Sequence, residues 1–142
     1  MKVKVSHEVP LPLLETSKIF NDYDYCLPHL LDQHDLYEQY FRQAKAEGRY
    51  IIMDNSLHEL GEAYDTKRLL HWVNELKPDE FIVPDVWENC NASVRNAKTW
   101  STIELPEGVE KVAVVQGKSY IEFATGYQRY KWLGYQKIAF SY

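Results

Sequence analysis

Three short apolar runs recur at a fixed interval of 31 residues, and this repeat constrains the fold more than any other feature of the chain. They are Tyr50-Ile51-Ile52-Met53-Asp54, Phe81-Ile82-Val83-Pro84-Asp85 and Val112-Ala113-Val114-Val115-Gln116. Each is nearly continuous in apolar side chains, the pattern of a strand buried on both faces of a parallel sheet; a half-solvated strand would alternate. Each closes on a polar residue: Asp54, Asp85 or Gln116. A β-α unit of this length suits the right-handed crossovers that join parallel strands.

The stretches between the runs read as helices. Asp65 is a good N-cap for a helix carrying Leu69, Leu70, Val73 and Leu76, which Lys77-Pro78 stops. Asn91 is the expected cap of a second helix, with Val94, Ala97 and Trp100 turned inward. Ser119 and Glu122 form an S-x-x-E capping box, with Tyr120, Phe123, Ala124 and Tyr127 following at helical spacing and Gly134 ending the element. Upstream, Leu30, Leu31, His34, Tyr37, Phe41 and Ala44 share one face of a single long helix that Gly48 terminates. Residues 2–6 read as an opening strand, residues 8–28 mainly as loop, and residues 137–141 as a fifth strand.

The 142 residues therefore read as a single α/β domain built from a parallel β/α repeat of about five strands. Two architectures accommodate it: an open doubly wound sheet, or an incomplete (β/α)8 TIM-like barrel. A whole barrel takes about 250 residues, so the second reading makes the chain the N-terminal portion of one. In both, side chains at the carboxyl ends of parallel strands converge on one rim, where ligands bind. Asp54, Asp85 and Gln116 would then face a common site. Two acids and an amide suit a purine edge, because carboxylates accept from ring N–H and amino groups while an amide both donates and accepts. Gly117 would let a flat ring approach the backbone. A single Asp after a strand is more often a helix cap or a solvated loop residue. For Asp85 the local explanation is weaker, because Pro84 precedes it and Asn91 is the better cap.

The ordered segments Met53-Asp54-Asn55-Ser56-Leu57-His58-Glu59-Leu60-Gly61, Val83-Pro84-Asp85-Val86, Val114-Val115-Gln116-Gly117 and Leu133-Gly134, the last leading into Lys137-Ile138-Ala139-Phe140-Ser141, resemble the tRNA-guanine transglycosylase superfamily. The similarity runs over about residues 50–142 and is greatest to the phage-type 7-deazaguanine DNA transglycosylases. Asn55-Ser56 after the first Asp, where the tRNA enzymes have chiefly Gly-Gly, and Lys118 after Gln116-Gly117 both favour that branch.

The resemblance implies a (β/α)8 barrel that exchanges guanine in DNA, or alternatively in tRNA, for a 7-deazaguanine base. A carboxylate attacks the anomeric carbon, guanine leaves, and the incoming base displaces the enzyme from the sugar. By the same resemblance Asp54 contacts the base and acts as general acid and base, Asp85, Gln116 and Gly117 hold the purine edge, and the backbone around Ser141 lines the pocket. Asn55 and Glu59 are read as substrate-binding residues on the same resemblance, and Glu59 is also a candidate for assisting proton transfer or orienting Asn55. The family's nucleophilic aspartate and zinc motif belong to later strands. The chain is thus expected to hold a base pocket without the nucleophile, either as part of a transglycosylase or as a non-catalytic purine or nucleic-acid binding module. Self-association or a partner chain that completes the barrel is expected, because a parallel sheet ending at the fifth strand leaves an apolar edge.

Other chemistry is disfavoured. The histidines have no metal-ligand spacing, and no Walker A, G-x-G-x-x-G or G-x-S-x-G motif occurs, so neither metal nor cofactor is expected. A formal charge of −5, from 21 acids and 16 bases, argues against a polycation that coats nucleic acid. Arg42, Lys45, Arg49, Arg129, Lys131 and Lys137 are candidates for phosphate contacts, with solvated helix faces the commoner role. Trp72 and Trp132 are expected in the core. Cys26 and Cys90 are expected as buried thiols, and no membrane span or secretion signal is read, which suggests the cytoplasm, the host's if the chain is phage-borne.

Overall fold

A computed structural model describes residues 2–141. Among these, five strands form one all-parallel sheet: β1 (Asp24–Cys26), β2 (Ile51–Met53), β3 (Glu80–Ile82), β4 (Glu110–Val115) and β5 (Lys137–Phe140), hydrogen-bonded in chain order. The α-helices are α1 (Leu14–Ser17), α2 (Pro28–Gln33), α3 (Asp35–Ala46), α4 (Leu57–Leu60), α5 (Thr66–Leu76), α6 (Cys90–Ser101) and α7 (Tyr120–Trp132). A doubly wound sheet needs a point where strand order reverses, and the order β1-β2-β3-β4-β5 has none. With right-handed crossovers, sequential order carries every helix to the same side of the sheet.

The packing follows that geometry. Ile51, Met53, Phe81, Val83, Ala113 and Val115 are buried in the core they share with Phe41, Leu69, Val73, Ala97 and Trp100. On the alternate positions, Tyr25, Ile52 and Val114 are half-buried while Ile82 and Val112 are buried. The nearly continuous apolar pattern of the repeat therefore reflects one face buried by helices and a second face that is partly sheltered.

The first strand is a correction. Residues 2–6 form no strand; their backbone is tied to side chains instead, with Val5 N–H donating to Asp22 and His7 N–H to Asn21. β1 arises within the stretch expected to be loop, because tertiary pairing neutralises its acid. Asp24 is 3% exposed and accepts from Arg49 Nε at 2.5 Å, Arg49 Nη2 at 3.1 Å and Tyr40 Oη at 2.9 Å. Arg49, a phosphate candidate from sequence, is thus occupied inside the fold.

The expected long helix is two. His34 takes extended backbone (φ −140°, ψ 108°) between α2 and α3 and is exposed rather than inward. In one continuous helix Leu31 and Tyr37 would lie about 120° apart; the break lets both reach the core. Asp65 and Ser119 cap α5 and α7 as expected, accepting from Arg68 N–H and Glu122 N–H. Gly48 (φ +75°) and Gly134 (φ +89°) supply the left-handed stops after α3 and α7. Helix α6 is capped by Asn89, which accepts from Ala92 N–H, not by Asn91. Trp72 is buried, whereas Trp132 is 84% exposed. On α7 the buried positions are Gly126 and Tyr130; Tyr120 is 86% exposed, and Phe123 and Tyr127 stack against Phe140 of β5 near the open edge of the sheet.

Candidate functional site

The carboxyl ends of the strands deliver the polar closers to one place. Asp54 follows β2, Asp85 follows β3 across Val83-Pro84, Gln116 follows β4, and Ser141 follows β5. Asp54, Asn55, Glu59, Asp85, Gln116 and Ser141 all line a cavity of about 310 Å³. Gly117 lies outside it, in the wall of an adjoining cavity. Its lack of a side chain has a packing cause: a Cβ there would lie 2.8 Å from Glu122 Cβ, so α7 could not start where it does.

Asp85 is the centre of a polarised network. Its Oδ1 accepts from Asn55 Nδ2 at 2.7 Å and its Oδ2 from Gln116 Nε2 at 2.6 Å. Neither amide can be turned around. Asn55 Nδ2 also donates to Val83 O at 3.1 Å while its Oδ1 accepts from Leu57 N–H at 2.9 Å; Gln116 Oε1 accepts from Glu88 N–H at 3.1 Å. Backbone groups thus dictate that both amides aim donors at Asp85, and only a residue with two acceptor atoms fits between them. Burial pushes the Asp85 carboxyl above its ordinary range, and the amide bonds from Gln116 and Asn55 draw it part of the way back. Asn55, at 1% exposure, has both polar atoms engaged and acts as a brace between the loops after β2 and β3.

Asp54 is held differently. Oδ1 accepts from Tyr25 Oη at 2.9 Å and Oδ2 from Ser56 N–H at 2.8 Å. The second bond belongs to a tight turn in which Ser56 adopts φ +61°, with Ser56 Oγ and His29 Nδ1 hydrogen-bonded at 2.8 Å. Burial raises the Asp54 carboxyl, the Ser56 and Tyr25 bonds lower it, and the charge of Glu59 raises it again. A carboxyl with elevated proton affinity, held toward a cavity, is suited to passing a proton to and from a ligand.

The rim contains residues that sequence reading did not select: Tyr25, Glu8, His58 and Trp87. Tyr25 was hidden because its stretch read as loop. Glu8 comes from the extended N-terminal segment; burial raises its carboxyl, as do the charges of Glu59 and Asp54. Trp87 is 50% exposed with its ring 5.5 Å from that of His58. A Trp two residues beyond a strand-end Asp, outside any helical apolar face, was the available signal.

Several basic candidates are committed elsewhere. Lys137 Nζ bonds Glu80 at 2.6 Å and lies 3.0 Å from Glu110, and Arg42 pairs with Glu38 and Glu75. Both cysteines are free and buried. Among the described residues no cluster of three or more His, Cys, Asp or Glu side chains is placed to hold a metal ion, and no helix is long and apolar enough to cross a membrane. No family model, curated protein or solved structure matches the chain.

Proposed function

We propose that this chain forms the base-binding part of a transglycosylase-like (β/α)8 barrel that exchanges guanine in DNA for a 7-deazaguanine. The observation that carries the proposal is the convergence of Asp54, Asp85 and Gln116, from three successive strand ends, on one cavity. Sequential strand order, with the helix-covered core on one face of the sheet and a half-buried second face, supports the barrel reading.

In the proposed reaction a carboxylate outside the described cavity attacks C1′ of the target nucleotide. The C1′–N9 bond breaks, guanine leaves with its electron pair, and Asp54 supplies the proton that neutralises it. The incoming base then gives its N9 proton to Asp54, and its nitrogen displaces the carboxylate from C1′. Asp85 and Gln116 hold the base through the acceptor positions their mutual bonds leave open.

A second reading is a binding module without chemistry. It is favoured by the closed Asn55–Asp85–Gln116 network, which braces the cavity walls whether or not a reaction occurs there. Release of radiolabelled guanine from DNA or tRNA, and calorimetry with 7-cyano-7-deazaguanine, separate the two. The exchange reading expects base binding by this chain and exchange once strands carrying the nucleophilic carboxylate are supplied, with Asp54→Asn losing exchange and retaining the base. Binding without exchange by the wild type so completed selects the binding module. Absence of base binding by a folded wild-type protein defeats the cavity assignment itself.

A further inference from the structure

The base cavity adjoins a second cavity of about 490 Å³, and the two share Trp87, Gln116 and Ser141 in their linings. The second cavity is also lined by Gly117, Lys118, Tyr120 and Phe123, at and just before the start of α7. We infer that it takes the nucleotide adjoining the target in an unpaired strand, with the neighbouring base stacked on the ring of Tyr120. This inference rests on the proposed base pocket and adds the path of the polymer.

The two sides of the base cavity differ in what they offer a phosphodiester chain. On the side of β1 and β2 the rim carries the carboxyl groups of Glu8, Asp54 and Glu59 with only His58 to offset them, and a phosphate leaving that way meets like charge. On the side of β4 and β5 an exposed cation is available: Lys118 Nζ lies 3.2 Å from Glu88, and both side chains are more than half exposed, so the lysine can exchange its partner for a phosphate. Glu122, the remaining acid there, is turned back on its own loop, accepting from Lys118 N–H at 2.8 Å and from Ser119 Oγ at 3.2 Å.

The stacking surface is the second argument. Tyr120 and Trp87 are exposed aromatic rings on the walls of this cavity, and neither is needed to fill the core. Rings beside a channel that tracks a backbone are the usual means of holding single-stranded nucleic acid without reading its sequence. A base inside a duplex has both faces covered and cannot use them, so the inference commits to a single strand.

The test is fluorescence anisotropy with a fluorescein-labelled ten-nucleotide DNA strand carrying one central guanine, run beside calorimetry with free 7-cyano-7-deazaguanine. Tyr120 is solvent-exposed on the first turn of α7, so its variants should fold. Tyr120→Ala is expected to weaken strand binding about tenfold, as loss of one base–aromatic stack does, and to leave free-base binding unchanged; Tyr120→Phe is expected to retain strand binding. Unaltered strand binding in Tyr120→Ala, an equal loss in Tyr120→Phe, or duplex binding as tight as single-strand binding overturns the inference. Strand binding that depends on the Tyr120 ring without any free-base binding keeps the groove and defeats the base pocket. Failure of both ligands to bind defeats both.

Discussion

Asp85→Asn exchanges an acceptor oxygen for an NH2 group at a place where both neighbours already donate. The Asn55 amide is oriented by Val83 O and Leu57 N–H, and the Gln116 amide by Glu88 N–H, so neither can rotate to present an oxygen. The variant loses one charge-assisted hydrogen bond, worth about 1.5–3 kcal/mol, and sets two buried donors against each other. Relief from burying a carboxylate offsets part of this, leaving a net destabilisation of about 2 kcal/mol. For a chain of this length that corresponds to a fall in Tm of roughly 6–10 °C.

Asp54→Asn is the internal control, because its partners are not polarised in the same way. The Tyr25 hydroxyl can turn to accept from the new amide, and the remaining oxygen keeps the Ser56 N–H bond. Its stability at neutral pH is expected to match or exceed the wild type. Burial raises the Asp54 carboxyl above its unfolded value, so between the two values the native state holds more protons than the unfolded chain, and stability falls as pH rises through the native value. Any advantage of Asp54→Asn at pH 7 should therefore shrink as the pH is lowered toward 4. Thermal melts followed by circular dichroism at 222 nm, at pH 7 and pH 5, read both effects. Equal losses in the two variants, or an Asp85→Asn melt coincident with the wild type, would refute the polarity argument.

Three further outcomes follow from the packing. Arg49→Met strands the Asp24 carboxylate in the core with only Tyr40 as partner; breaking such a pair costs about 3–5 kcal/mol, and urea unfolding should read it as a lowered midpoint. Gly117→Ala drives a methyl group into Glu122 Cβ and should destabilise by about 1–3 kcal/mol in the same assay; a neutral result would mean that the start of α7 shifts freely. The outer edge of β5 has no partner among the described residues and carries Phe140, half exposed beside Phe123 and Tyr127, so the isolated chain should associate with rising concentration in sedimentation velocity. Phe140→Lys should shift it toward monomer, and a monomeric wild type across the concentration range contradicts the open-edge argument.

What the sequence determined by itself was the repeat and its consequences. Strands β2, β3 and β4 were legible because their apolar runs are long enough to exclude solvent, and their evenly spaced polar closers placed Asp54, Asp85 and Gln116 on one rim. The caps at Asp65 and Ser119 were legible because capping is local chemistry between residues three apart. Tertiary structure decided what depends on partners distant in the chain. Asp24 made its stretch look like a loop until Arg49, 25 residues away, supplied the counter-charge that allows β1 to be buried. Asn55 read as a ligand group, yet the carbonyl of Val83 and the carboxylate of Asp85 turn it into a brace. Tyr25 joined the site only when β1 lay beside β2. Local periodicity reports which residues seek burial; which polar groups satisfy one another there is settled by pairings that no window along the chain contains.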